Sequence, residues 1–153
     1  MSQLSHYDEA GAARMVDVSA KTATKRTARA QAFVKIRPEV LAKLPGNPKG
    51  DPLEVARIAG VMAAKRTSEL IPLCHTLALT HADVVATVEP DGVRIVATAS
   101  TTGQTGVEME AMTAAAVAAL TVYDMTKALD KAIEITDLFL LEKTGGKSGD
   151  FRR

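Results

Sequence analysis

The segment from Thr105 to Ala128 is the feature that most constrains how this chain can fold. It is rich in alanine, as a helix often is, yet it carries no charged residue between Ala111 and Tyr123. A helix that is apolar on every side must be covered on every side, and one sheet cannot do that alone. Small residues would let a second helix approach closely, namely Ala114, Ala115, Ala116, Ala118 and Ala119. We therefore expect a homo-oligomer with this helix at the subunit interface.

Periodicity elsewhere in the chain predicts the other elements. Alternation of apolar and polar residues predicts a strand over 22–36, and Asp51-Pro52 begins an amphipathic helix that extends to about Leu70. The turn residues Pro90-Asp91-Gly92 join strands over 81–89 and 93–101, and a last strand is expected over 132–141. This order is typical of an α+β, ferredoxin-like βαββαβ sandwich, an antiparallel sheet with its helices on one face.

Length and composition narrow the function classes. A chain of 153 residues is the usual size of one domain, so we expect a single domain over 1–153, with a mobile N-terminus over 1–14 and a mobile glycine-rich basic tail over 143–153. The net charge of +1 and an aromatic content of 3% argue against nucleic acid as a partner, and no apolar run is long enough to span a membrane. A single cysteine and no targeting signal favour a cytoplasmic protein.

Positive charge is concentrated near both ends of the chain. Residues 14–37 carry seven lysines and arginines against one acid, and the tail adds Lys143 and Lys147. This pattern suggests a polyanionic ligand, although solvated strand faces would give the same pattern. Arg26 differs from the rest, because it shares the parity of the buried strand positions. The tail sequence GGKSG is no phosphate-binding P-loop, since Leu141 stands where that motif needs glycine; it could be a lid or a disordered end.

Charged residues stand at the two ends of the long helix. Glu108 and Glu110 lie at its start, where Thr105 to Glu108 matches a capping box, and Asp124 and Lys127 lie on one face at its end. The latter pair could act as acid and base, or could be an ordinary exposed ion pair. Sixteen residues of helix separate Glu108 from Asp124 by roughly 24 Å, too far for one small-molecule site. If both ends contact one substrate, two subunits must contribute.

The run Leu73-Cys74-His75 follows a proline in a short connection, where ligand contacts often occur. Cys74, His75 and His81 are too few and too scattered for a metal site, so none is expected. Spacing alone leaves His75 open to a structural hydrogen bond or to a substrate contact.

Several long motifs in order resemble the MoaC family, the cyclic pyranopterin monophosphate synthases of molybdenum cofactor biosynthesis. They are MVDVS at 15–19, KGD at 49–51, ARIAGVMAAKRTSELIPLCH at 56–75, TGVEMEAMTAAAVAALTVYDMTKA at 105–128 and the GGKSGDF tail. Thr76 is a departure, because the family usually has proline after LCH.

The resemblance implies a lyase that converts 3′,8-cyclo-7,8-dihydroguanosine 5′-triphosphate into cyclic pyranopterin monophosphate and releases pyrophosphate. It also implies a hexamer, a trimer of dimers, with active sites between subunits. No redox cofactor is implied, and Mg²⁺ could accompany the triphosphate, although the sequence shows no site for it. Asp124 and Lys127 match the catalytic pair. The residues that match substrate-binding positions are Leu73, Cys74, His75, Glu108, Met109, Glu110, Arg26, Lys49, Lys65, Lys143 and Lys147.

Two other hypotheses remain at this point. A nucleotide-binding regulatory module on the same fold would use the basic residues to hold a ligand without reacting it. A purely structural subunit would leave the basic ends of the chain unexplained. Turnover by the wild-type protein, and its loss on changing Asp124, separates the enzyme from both.

Overall fold

A computed structural model describes residues 4–153 of the chain. It contains one antiparallel sheet with the strand order β2-β3-β1-β4-β5. The strands are β1 (Thr24–Lys35), β2 (His81–Glu89), β3 (Gly92–Gly103), β4 (Glu134–Thr144) and β5 (Phe151–Arg152). The helices are α1 (Pro38–Leu41), α2 (Pro52–Lys65), α3 (Thr67–Leu70) and α4 (Glu108–Thr126), with a 3₁₀ turn at Leu44–Gly46.

The predicted ferredoxin-like α+β sandwich is confirmed, because α2 and α4 pack on one face of this antiparallel sheet. Three details differ from the expectation. The predicted helix to Leu70 is interrupted at Arg66, whose backbone leaves the helical region at φ −114° and ψ 15°. The tail returns as β5 beside Glu142 and Lys143, and α1 precedes α2.

The alternation in β1 positions the core as predicted. Ala28, Ala30, Ala32 and Val34 are all fully buried beneath the helices. The opposite face of β1 is also buried at Gln31 and Phe33, and the Arg94 guanidinium covers the ring of Phe33. The core therefore lies between the sheet and the pair α2 and α4.

The close helix approach that the alanines predict occurs inside the chain. A Cβ placed on Gly60 of α2 would lie 2.9 Å from the backbone oxygen of Ala114 and 3.3 Å from the Cβ of Ala118. The buried alanines of α4 are Ala111, Ala114, Ala115, Ala118 and Ala119. Of the five alanines expected at a subunit contact, Ala114, Ala115, Ala118 and Ala119 are therefore already covered within the chain, by α2 and the sheet, and only Ala116 stays half-buried. An oligomer with α4 at its interface stays a prediction.

A different face of α4 remains open. Its side chains include Met109, 38% exposed, and Leu120, 56% exposed, with Met112 and Ala116 half-buried between them. These four residues recur at helical spacing and form a stripe from the start of α4 to its end, which we call the outer stripe. Beside it, α2 exposes Ile58 and Met62. The exposed apolar surface of the two long helices thus includes the outer stripe of α4 and Ile58 and Met62 of α2.

The two ends of the chain are folded onto the domain over most of their length. Residues 4–14 form a turn closed by a bridge between Tyr7 and Ala13, and residues 1–3 of the predicted mobile N-terminus lie outside the described residues. The tail hydrogen-bonds to β4. Mobility of either end stays a prediction. Across the described part of the chain, every helix is too short or too polar to cross a membrane.

Candidate active site

The start of α4 differs from the predicted capping box. Val107 is the residue that precedes the helix, and no side chain caps it. A capping box needs a hydroxyl at that position, whereas Thr105 lies two residues earlier and lines a cavity. The Glu108 carboxylate folds back over Gly106, where any side chain would overlap it, and pairs with Lys143 Nζ at 3.5 Å. Glu108 is therefore linked to the tail and does not cap its helix.

Six of the predicted site residues line one cavity of about 260 Å³ at this end of α4. We call it the ring cavity; the six are Leu73, Cys74, His75, Glu108, Met109 and Glu110. The loop after α3 contributes the first three, and the first turn of α4 contributes the others. The structure thus brings together two motifs that are separated by more than thirty residues in the sequence.

His75 connects the ring cavity to the N-terminal segment. Its Nε2 lies 2.6 Å from the carbonyl oxygen of Val16. A carbonyl can only accept, so Nε2 carries the hydrogen and donates it. Val16 and Val18 also line the cavity. His75 therefore makes the structural hydrogen bond and lines the ring cavity at the same time, while its contact with a substrate stays a prediction.

Glu110 is the most unusual titratable group of this cavity. Glu110 is only 4% exposed, and this burial raises the pKa of its carboxyl group to about 7. A backbone hydrogen bond opposes this rise, and the negative charge of Glu108 adds to it. Burial also raises the pKa of the Cys74 thiol, with a further contribution from Glu110. Near neutral pH the cavity therefore holds a neutral thiol and a carboxyl group that can give or take a proton.

A second, larger cavity of about 1030 Å³ adjoins the first and is lined by cations. We call it the anion cavity; Lys21, Arg26 and Lys147 line it together with Thr22, Thr24 and Ser148. Arg26 donates from Nε to the carbonyl oxygen of Gly103 at 3.0 Å, which fixes its guanidinium at the end of β1. These residues would suit phosphate groups.

The glycine-rich tail forms one wall of the anion cavity. Gly146 has a φ of +85°, and any side chain there would overlap the Arg26 guanidinium. Lys143 Nζ donates to Ser148 Oγ at 2.5 Å and also pairs with Glu108, so the tail is held against the start of α4. Arg26, Lys143 and Lys147 therefore lie around the same end of the fold, whereas Lys49 and Lys65, which the resemblance assigns to the same pocket, do not line the anion cavity.

Asp124 and Lys127 lie at the opposite end of α4, where Lys127 Nζ donates to Asp124 Oδ1 at 2.7 Å. This hydrogen bond and the lysine charge lower the pKa of Asp124, and Lys49 lowers it further. The same hydrogen bond raises the pKa of Lys127. The pair therefore consists of an Asp124 carboxylate beside a Lys127 ammonium group, and about half or more of each side chain is exposed.

Lys49 is positioned near this pair by a small network. Its backbone N–H donates to Asn47 Oδ1 at 2.9 Å, while Asn47 Nδ2 donates to the carbonyl oxygen of Met125 at 2.6 Å. Gly50, at φ +105°, then turns the chain so that Asp51 accepts from Leu53 N and caps α2. The KGD motif thus connects α2 to the end of α4.

The protomer does not bring its two groups of predicted residues together. Asp124, Lys127 and Lys49 lie about one helix length, roughly 24 Å, from the ring cavity. Lys65 also lies apart, on a third cavity beside His81, although Leu77 lines both that cavity and the ring cavity. Within residues 4–153, no group of three or more His, Cys, Asp or Glu side chains is arranged to hold a metal ion.

Sequence reasoning missed several residues that line the cavities, among them Val16, Val18 and Lys21. The motif MVDVS covers the two valines, but small apolar residues give no chemical signal of a site. Lys21 was one of several lysines in a basic region, and only the fold separates it from the others.

The fold is an α+β sandwich, and near one end of α4 it has two cavities, one lined by Glu108 and Glu110 and the other by Lys21, Arg26 and Lys147. The MoaC family model matches residues 15–146. A protein of Streptomyces avermitilis is 59% identical over 153 residues, covering 99% of this chain and 90% of its own. Relatives from Dinoroseobacter shibae and Chloroflexus aggregans are each 56% identical, covering 98% and 95% of their own lengths. All three are named cyclic pyranopterin monophosphate synthase. This chain belongs to the MoaC family.

Proposed function

We propose that this chain is a cyclic pyranopterin monophosphate synthase of molybdenum cofactor biosynthesis. As a lyase, it converts 3′,8-cyclo-7,8-dihydroguanosine 5′-triphosphate to cyclic pyranopterin monophosphate and releases pyrophosphate. The observation that carries this proposal is the near full-length identity of 59% to a relative with that name. The adjoining ring and anion cavities support it, because the substrate joins a heterocycle to three phosphates. A cytoplasmic location fits such a biosynthetic step.

The chemistry needs both proton transfer and charge stabilisation. Opening the cyclised purine and closing the new ring move protons, whereas forming the cyclic phosphate lets an internal hydroxyl displace pyrophosphate. In the free protein Asp124 is a carboxylate and Lys127 an ammonium group, so Asp124 would begin as the base and Lys127 as the acid. Glu110 can transfer a proton near pH 7. Arg26 and Lys147 would stabilise the departing pyrophosphate.

The active site requires two subunits under this proposal. Asp124 and Lys127 lie roughly 24 Å from the ring cavity of their own chain, so they would serve the cavity of a second copy. The outer stripe of α4, defined above, connects the two ends and leaves apolar surface open, including Leu120. Antiparallel pairing of two such stripes would bring the end of each α4 to the start of the other. We further propose that three such dimers form the hexamer that the resemblance to the MoaC family implies.

Mixing two inactive variants tests the shared site. Asp124→Asn and His75→Ala each disable one half of the site, so each alone should be inactive on the cyclised nucleotide. In a mixed dimer, one site carries both defects and the other carries neither. Random reassembly at equal concentrations should therefore restore about a quarter of the wild-type activity.

Each outcome of the mixing experiment separates the hypotheses. No recovery in the mixture would place all catalytic groups in one subunit and refute the shared site. Absence of turnover in the wild type, with binding retained, would favour the nucleotide-binding regulatory module. Asp83→Asn is the matched control, because this carboxylate lies on β2 near Arg57, away from both ends of α4. It should keep wild-type activity.

A further inference from the structure

Asn47 is hydrogen-bonded through both its backbone groups and both ends of its side-chain amide. Its backbone N–H donates to the carbonyl oxygen of Leu44 at 3.2 Å, and its own carbonyl oxygen accepts from Gly50 N at 3.1 Å. The side-chain Nδ2 donates to the carbonyl oxygen of Met125 at 2.6 Å, and Oδ1 accepts from Lys49 N at 2.9 Å. The two side-chain bonds therefore join the connection before α2 to the end of α4.

The bond to Met125 replaces one that the helix has lost. In a continuing helix the Met125 carbonyl would accept from Leu129 N, but Leu129 N donates to the carbonyl oxygen of Thr126 at 2.9 Å instead. The Asn47 amide supplies a donor in its place. Met125 directly follows Asp124, so this bond holds the backbone beside the Asp124 carboxylate.

The connection that carries Lys49 is restricted on both sides of this lysine. Asn47 precedes Pro48 and is extended at φ −69° and ψ 122°, which is the conformation favoured before proline. On the other side Gly50 has a φ of +105°, and Asp51 caps α2. A stiff connection of this kind transmits the position of the Asn47 amide to Lys49.

Lys49 acts on the Asp124 carboxylate from outside α4. The hydrogen bond and the charge of Lys127 lower the pKa of Asp124, and the charge of Lys49 lowers it further. Lys127 lies on the same helix as Asp124, so helical geometry sets that contact. Lys49 comes from a different element and needs an attachment of its own to α4. Asn47 makes such an attachment.

We propose that Asn47 is a positioning residue of the synthase reaction, whose side-chain amide holds Lys49 at the Asp124–Lys127 end of α4. This inference rests on the proposed function, because it takes Asp124 and Lys127 as the groups that react with the substrate. The amide suits this role, since one short side chain supplies a donor to Met125 and an acceptor to Lys49 N.

Asn47→Asp and Asn47→Ala test this role. Both remove the donor to Met125, while Asn47→Asp keeps the size of the side chain and an acceptor for Lys49 N. Each should lower kcat on the cyclised nucleotide by about 100-fold, the loss expected when a reacting group is misplaced by about 1 Å. KM should stay within about threefold of the wild-type value, because the ring and anion cavities are unchanged. Circular dichroism at the assay temperature should show both variants folded.

A double-mutant cycle with Lys49→Met separates positioning from a general loss of structure. If Asn47 acts through Lys49, then Asn47→Asp should lower kcat by less than about threefold in the Lys49→Met background. Losses that multiply in the double variant would overturn the proposal. Normal turnover in both Asn47 variants would overturn it as well.

Lys43→Met is the matched control for Lys49→Met. Lys43 is an exposed lysine in the same connection, four residues before Asn47, and its replacement should leave kcat at the wild-type value. A loss in Lys43→Met as large as that in the Asn47 variants would also refute the assignment to Asn47. A wild-type protein that is folded but inactive on the cyclised nucleotide would instead refute the proposed function.

Discussion

Glu110 should make the stability of this protein depend on pH. Burial raises its pKa from 4.5 to about 7, so the folded protein binds the proton more tightly than the unfolded chain does. The folded state is therefore fully favoured below pH 4.5, and it loses that advantage as the pH rises toward 7. At about 1.4 kcal/mol for each unit of pKa, the full loss is about 3.5 kcal/mol. This is a large share of the stability of a domain of ordinary size.

Glu110→Gln isolates this contribution, because glutamine keeps the neutral shape of the protonated acid and cannot ionise. Relative to the wild type, the variant should gain about 3 kcal/mol of unfolding free energy between pH 4 and pH 8.5. Urea unfolding at fixed protomer concentration measures the difference. Circular dichroism is the suitable signal, since the chain has no tryptophan.

The comparison with an exposed acid makes the result specific. Glu69→Gln removes a carboxylate from the surface of α3, and its stability relative to the wild type should change little over the same pH range. If the difference between Glu110→Gln and the wild type does not vary with pH, or varies in the opposite direction, then Glu110 is not held in an environment that favours its neutral form.

Two glycine substitutions test the packing that positions the cavities. Gly60→Ala should lower the unfolding free energy by about 2 kcal/mol, because the new Cβ would lie 2.7 Å from Val84 Cγ2. Gly46→Ala is the control: its Cβ meets open space, so the unfolding free energy should change by less than about 0.5 kcal/mol. Gly146→Ala should weaken pyrophosphate binding roughly tenfold by displacing a guanidinium of the anion cavity. Gly149→Ala has the same strained φ but open space, so equal losses of affinity in the two variants would contradict this explanation.

Local signals in the sequence were sufficient for the architecture. The alternation in β1 gives the buried face, and Pro90-Asp91-Gly92 gives the hairpin, because each depends on residues close together in the chain. The break at Arg66 and the return of the tail as β5 could not be predicted in this way. The return of β5 depends on pairing with β4, and a strand of two residues has no periodicity to detect, whereas the break at Arg66 interrupts an apolar pattern that continues past it to Leu70.

The sequence predicts contacts between residues close together in the chain, but it does not predict the surroundings that the fold gives to each side chain of the candidate site. Asp124 and Lys127 stand three residues apart on one helix face, and their ion pair follows from that spacing alone. The environment of Glu110 does not follow from its sequence neighbours, since its burial depends on how the loop with Cys74 covers the start of α4.

The composition of the long helix predicts a partner subunit, but it does not show which face of the helix that subunit would cover. Alanines on α4 allow close approach from any direction, so the sequence could not say which helix uses them. Gly60 decides the matter, because a glycine on α2 facing Ala114 lets the helices of one chain approach closely. With α2 on that face, the larger apolar residues of the outer stripe, such as Met109 and Leu120, remain exposed, and these are the residues that the proposed second subunit would cover. The outer stripe begins beside Glu110 and runs toward Asp124, so a partner that covered it would approach both ends of α4.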